Sequence, residues 1–210
     1  MTIQERREKE IEVMREKILA AAEAIAADEG FEQVSIRKIA KKIQYSPATI
    51  YHYFKDKDSI IQILMQRGYG KIMAAVADPS IATLPPDQRL MAMSRNYIQA
   101  ALSMPEEFKN AQLNTSEEAL QFTSSLFKGA LKVKPALGAL ANCIKALPGN
   151  DSVDEDLLEL TAQMVAASTF GLIIKLTVEK QIDAEQRQRL INFFIEDTVM
   201  KISAITPRED

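Results

Sequence analysis

The stretch that decides the fold runs Val34-Ser35-Ile36-Arg37-Lys38-Ile39-Ala40-Lys41-Lys42-Ile43, breaks at Gln44-Tyr45, and resumes as Ser46-Pro47-Ala48-Thr49-Ile50-Tyr51-His52-Tyr53-Phe54 before Lys55-Asp56-Lys57. Ser35 reads as the cap of a short helix that turns Ile36, Ile39, Ala40 and Ile43 inward and Arg37, Lys38, Lys41 and Lys42 outward. Ser46 followed by Pro47 is a second helix start, with the cap first and proline where its missing N–H does no harm. The helix it opens is short, from Pro47 to about Phe54, with Ile50 and Phe54 four apart to pin it to its supports. Two helices separated by a tight break, the second only about two turns long, form a helix-turn-helix pattern.

Upstream, Ile11, Met14, Ile18, Ala22 and Ile25 recur at three- and four-residue steps, predicting a helix to about Asp28 with Gly30 as its C-cap. Downstream, Asp56 restarts the chain as a long helix with Ile60, Ile61, Leu64, Met65, Ile72 and Val76 on one face. A loop between Asp78-Pro79 and Pro85-Pro86 precedes a helix that Pro105 ends. Residues 106–147 read as three short helices broken near Asn114, at Gly129 and before Pro135. Two long helices close the chain, about 154–179 and about 184–204. The first is apolar on nearly every side between Met164 and Leu176, so one flank calls for its own core and the other for a second subunit.

Composition narrows the function classes. At 210 residues, 47% apolar and 26% charged, the chain is neither a disordered tail nor a peptide hormone. Its longest nearly uninterrupted apolar stretch, Met164 to Ile174, is short for a membrane span, and the charged start MTIQERREKEIEV has no apolar signal core, so a cytoplasmic protein is expected. A single cysteine, Cys143, excludes a disulfide within the chain. The net charge of −3 hides an asymmetry. Residues 33–57 hold six bases against Asp56 alone, a local +5, which leaves −8 for the rest. Such a window suits a compact site for an anionic partner. Arg37, Lys38, Lys55 and Lys57 bracket the short helix where phosphates would lie, and Thr49, Tyr51, His52 and Tyr53 offer hydroxyls and ring edges to bases.

The run Gly30-Phe31, Val34 to Ala40, Ser46 to Phe54 and Lys55-Asp56-Lys57-Asp58 resembles the DNA-binding half of the TetR family of bacterial repressors, most diagnostically in Thr-Ile-Tyr-His-Tyr-Phe followed by Lys-Asp-Lys. The resemblance covers roughly residues 15–65. It implies an all-α subunit, with a helix-turn-helix DNA-binding domain over 1–58 and a ligand-binding and dimerisation domain over 59–210. It further implies a homodimer, paired through the two closing helices, on a palindromic double-stranded operator. Mapped onto this chain, the implied DNA contacts are Arg37, Thr49, Tyr51, His52, Tyr53 and Lys57, to which the caps and flanking charges add Ser35, Lys38, Ser46 and Lys55 as candidates. The family's ligand cavity lies among its middle helices, for which Met65, Tyr69, Met73, Met93, Tyr97, Phe108, Phe122, Phe127, Met164 and Phe170 are the lining candidates, suited to a small apolar or aromatic effector. Leu172, Leu176, Ile191, Phe194, Ile195 and Val199 are the dimer candidates. Two departures stand out: the turn carries Gln44 where the family usually has glycine, so either Gln44 is left-handed at some cost or the turn differs, and about ten residues precede the family's core.

Plainer readings compete. His52, the only histidine, forms neither a catalytic triad nor a histidine-rich metal site, and Cys143 reads as a small core residue. No enzymatic activity, cofactor or metal is expected. Residues 5–17 balance five bases with five acids, which fits a solvated helix surface better than a basic arm. The cluster Asp151, Asp154, Glu155, Asp156 and Glu159 fits a helix start rather than a cation site, and no buried acid stands out. The expected function is a ligand-responsive repressor; the alternative is a helical small-molecule-binding or partner-binding protein of this fold that reads no DNA.

Overall fold

Thr2 opens the first helix through a reciprocal cap: its hydroxyl accepts from the Glu5 amide at 3.2 Å, and its own amide donates to the Glu5 carboxylate at 2.8 Å. The structure, a computed structural model, describes residues 2–179 and 181–203. Among these the chain is helical without strands: α1 Ile3–Glu29, α2 Ile36–Ile43, α3 Pro47–Tyr51, α4 Lys57–Val76, α5 Pro86–Ser103, α6 Pro105–Gln112, α7 Glu117–Thr123, α8 Ala130–Val133, α9 Pro135–Lys145, α10 Glu155–Val178 and α11 Ala184–Ile202. Short 3-10 turns follow α1 and α4. The expected breaks near Asn114, at Gly129 and before Pro135 are present, but they separate four helices rather than three.

The residues pack as two units, one ending at Tyr69 and joined by Glu106–Thr123, the other Gly70–Pro105 with the chain from Ser124 onward. The first therefore extends past the Asp58 boundary read from the sequence. Its core explains why: Ile60, Ile61, Leu64 and Met65 of α4 are buried with Ile18 and Ile25 of α1, Ile39 of α2 and Ile50 of α3. Ala119 of α7 joins the same cluster, with Ala111 and Phe122 at its edge. Asn110 of α6 adds a directed contact, donating to the Ala26 carbonyl at the end of α1 at 3.0 Å.

The second unit is built on α10, which packs against α5, α9 and α11. By length and composition alone Glu155–Val178 is apolar enough to cross a bilayer, a test that a core helix also passes; here the helix packs within its own unit, and Gln163, Ser168 and Thr169 interrupt its apolar run. Glu159 is corrected, from an exposed acid at a helix start to a buried one. It accepts from the amides of Gly129 and Leu131 at 2.9 and 3.1 Å, and these hydrogen bonds hold its carboxyl below the usual range. One turn on, Gln163 donates to the Ser125 and Phe127 carbonyls at 3.0 Å, so α10 fixes the segment before α8. Asn150, fully buried, donates to the carbonyls of Ile144 and Ile202.

Candidate nucleic-acid interface

The interface is assembled from three helix starts. Ser35 accepts from the Lys38 amide at 3.2 Å and opens α2, whose Ile36, Ile39, Ala40 and Ile43 are buried while Arg37, Lys41 and Lys42 face solvent. Gln44 then turns the chain at φ +62° and ψ +43°, the left-handed conformation expected where the family has glycine. Ser46 caps α3, accepting from the Thr49 amide at 3.1 Å while its hydroxyl lies 2.9 Å from that of Thr49. Pro47 occupies the first turn. The third start is at α4: the Asp56 carboxylate accepts from the Ser59 amide at 2.8 Å, and that bond above all holds its carboxyl below the ordinary range. The one acid in the basic window thus serves a helix N-terminus.

α3 is shorter than the sequence pattern predicts, because after Tyr51 the chain tightens: the His52 amide donates to Thr49 and the Tyr53 amide to Ile50. Ile50 and Phe54 are buried as expected and set the depth of the helix. Its outward surface carries Tyr51, 58% exposed, with His52 beside it, while Thr49 and Tyr53 are half-buried. Lys55 is exposed and Lys57 half-buried at the start of α4. Among the described residues, the side chains of Arg37, Lys55 and Lys57 form no ion pair, which leaves them open to an anion. Lys38 differs. Its ammonium is 2.7 Å from Glu29 and 3.3 Å from the Gln33 side-chain oxygen, so it braces the corner between α1 and α2.

Sequence reasoning missed the part played by α1. Arg15 Nη1 donates to the Tyr53 carbonyl at 2.5 Å and its guanidinium lies 4.3 Å above the Phe54 ring, while Lys17 Nζ lies 4.8 Å from the Tyr45 ring. Both fall in the charge-balanced segment read as a solvated surface, and no local pattern sets them apart, since their partners are distant in sequence.

The other candidates are dispersed. Met65, Tyr69, Phe108 and Phe122 belong to the first unit, where Met65 and Phe108 are buried and the Tyr69 and Phe122 rings lie 5.9 Å apart. Met73, Met93, Tyr97, Phe127, Met164 and Phe170 belong to the second; Met93 is buried with its sulfur 3.9 Å from that of Cys143, whereas Phe127 and Met164 are exposed. Of the dimer candidates, Leu176, Ile191, Ile195 and Val199 are buried in their own unit, and Leu172 and Phe194 are half-buried. The large exposed apolar side chains on these two helices are Leu160, Met164, Val178, Leu190, Phe193 and Met200.

Comparison with known proteins converges on this architecture. The sequence model of the bacterial regulatory proteins of the tetR family matches residues 18–64. The chain is 33% identical over 70 residues to the HTH-type transcriptional regulator UidR of Escherichia coli strain K12; the match covers 33% of this chain and 36% of UidR, so it spans well under half the length of that relative. A longer match, 25% identical over 182 residues, covers 78% of this chain and 95% of the uncharacterized HTH-type transcriptional regulator YobS of Bacillus subtilis strain 168. The crystal structure of the TetR family transcriptional regulator PfmR from Thermus thermophilus shares the fold, with a TM-score of 0.63 at 14% identity over 87% of this chain and 97% of that one. With its capped helix start and left-handed turn, the segment 18–64 is the helix-turn-helix of the bacterial regulatory proteins of the tetR family, and the all-helical chain around it shares the fold of TetR-family structures.

Proposed function

We propose that the chain is a ligand-responsive transcriptional repressor, acting in the cytoplasm, that binds a palindromic operator as a homodimer and is released by a small, largely apolar or aromatic effector. The observation that carries the reading is the surface of α3. Tyr51 and His52 stand outward on a capped helix whose depth Ile50 and Phe54 fix, and cations without ion-pair partners among the described residues flank it at Arg37, Lys55 and Lys57. Such a surface divides the work: Thr49, Tyr51, His52 and Tyr53 meet base edges or sugars in the major groove, and Ser35, Ser46, Lys55 and Lys57 hold the phosphates on either side.

Two such helices, about 34 Å apart in a dimer, enter successive turns of one groove. Dimerisation is supported by the exposed apolar residues of α10 and α11, above all Met164, Phe193 and Met200, which their own unit leaves mostly exposed. The effector reading rests on the methionines and aromatics of the central helices. Selection of bound sites from random duplexes with the full chain, followed by a gel shift at stated salt, tests the proposal. An enriched palindrome is expected. Enrichment of no sequence would favour a binding protein that keeps the fold and reads no DNA.

A further inference from the structure

A helix as short as α3 is oriented by whatever grips its ends, since few of its backbone groups are satisfied internally. Here one element grips both ends. Ahead of the Ser46 cap, Lys17 of α1 stands over the Tyr45 ring, and beyond Tyr51, Arg15 of α1 meets two consecutive residues. The Arg15 contact is the more directional. Its guanidinium is planar with several donors, so one N–H reaches the Tyr53 carbonyl at 2.5 Å while the flat face lies 4.3 Å over Phe54. Ile50 and Phe54 fix how deep the helix sits, but apolar contacts along one side constrain its rotation weakly. A hydrogen bond to a fixed carbonyl constrains it strongly.

We propose that Arg15 is a positioning residue for sequence readout: by holding the Tyr53 carbonyl and the Phe54 ring, it sets the orientation in which Thr49, Tyr51 and His52 meet the bases, without itself contacting DNA. The inference rests on the reading of α3 as the DNA-reading helix. It separates Arg15 from Lys55 and Lys57, which would act on phosphates directly.

The experiment uses the full chain and the duplex it selects from a random library, with a scrambled duplex of the same composition as reference. Wild type, Arg15→Met, Arg15→Gln and Arg15→Lys are titrated on both duplexes over a range of salt. Arg15→Met keeps the aliphatic stem and loses donor and charge. It is expected to lose about tenfold affinity for the selected duplex, with scrambled-duplex affinity and salt slope unchanged. Arg15→Lys, which keeps the charge and a donor but lacks the planar group that donates and stacks at once, should recover only part of the loss. Should Arg15→Met fail to fold by circular dichroism, Arg15→Gln carries the same expectation. Two results overturn the inference: selected-duplex affinity unchanged in the folded variants, or affinity lost equally on both duplexes with a shallower salt slope, which would make Arg15 a phosphate contact. If the wild type selects no sequence, it is the repressor reading that fails.

Discussion

Replacing Lys57 by alanine tests how the reading head meets DNA. Lys57 sits at the start of α4, half-buried and without an ion pair among the described residues, beside an aspartate committed to capping the same helix. A cation that neutralises a phosphate contributes roughly 0.9 to the slope of log affinity against log salt. The proposed homodimer would carry two copies, so Lys57→Ala should reduce the slope magnitude by about two, one per subunit. Across a fourfold rise in salt, the variant should therefore lose about tenfold less affinity than wild type. Phosphates carry no sequence information, so the change should be the same on the selected and the scrambled duplex. Lys38→Ala is the internal control: its ammonium is already held by Glu29 at 2.7 Å, so the slope should not move, and the loss of a half-exposed pair should cost at most about 1 kcal/mol of stability. Arg37→Ala should instead relax base preference. Fluorescence anisotropy with labelled duplexes at several salt concentrations measures all three. A Lys57→Ala slope equal to wild type, or a loss confined to the selected duplex, would refute the docking geometry.

Gln44→Gly should raise stability in urea denaturation by about 1 kcal/mol, because a side chain at φ +62° carries left-handed strain that glycine lacks; a lower midpoint would show that the Gln44 side chain makes a compensating contact. The opposite exchange should stabilise α4. A methyl group at Gly68 or Gly70 would meet no atom within 4 Å, so each change to alanine should add about 1 kcal/mol through helix propensity, and a loss would mean that the helix is interrupted there. Phe193→Glu, at a residue 70% exposed, should halve the mass seen by light scattering with helix content retained, whereas Ile195→Glu, at a residue 1% exposed, should unfold the second unit; a dimeric Phe193→Glu would place the interface elsewhere. Glu159 and Asp56 both titrate below their ordinary range, so the unfolded chain binds more protons, and their stabilisation is full above about pH 5 and disappears as pH falls through their folded values. Glu159→Gln should flatten the acid limb of melting temperature against pH, and an unchanged limb would count against the buried carboxylate.

The elements that were legible in the sequence are those whose signals are local. Ser35, Ser46 and Pro47, Gly30 and the spacing of Ile36, Ile39 and Ile43 place α1, α2 and the start of α3 where the structure has them, because capping and amphipathic spacing act within one or two turns. Gln44 was legible in part: the glycine usual at that turn left open whether Gln44 is left-handed or the turn differs, and φ +62° decides for the first. The site was legible only in part. Arg37, Lys55, Tyr51 and His52 face outward as read, but Lys38 braces a corner, and the grip of Arg15 and Lys17 gave no sign.

Contacts between residues far apart in sequence left no local trace. Helical periodicity shows that Leu176, Ile191 and Ile195 lie on apolar faces, but not whether the cover is a neighbouring helix or a second chain; here it is their own unit, and Met164 and Phe193 are left outside. Glu159 reads as one acid among five until packing sets it against the Gly129 and Leu131 amides. Sequence alone determined that the chain is helical, where α3 starts and which charges gather there, since these follow from backbone preference and composition along a short stretch. Tertiary structure decided which cations are free to meet an anion, which apolar residues remain uncovered and what orients α3, because each depends on side chains that only folding brings within a few ångströms of one another.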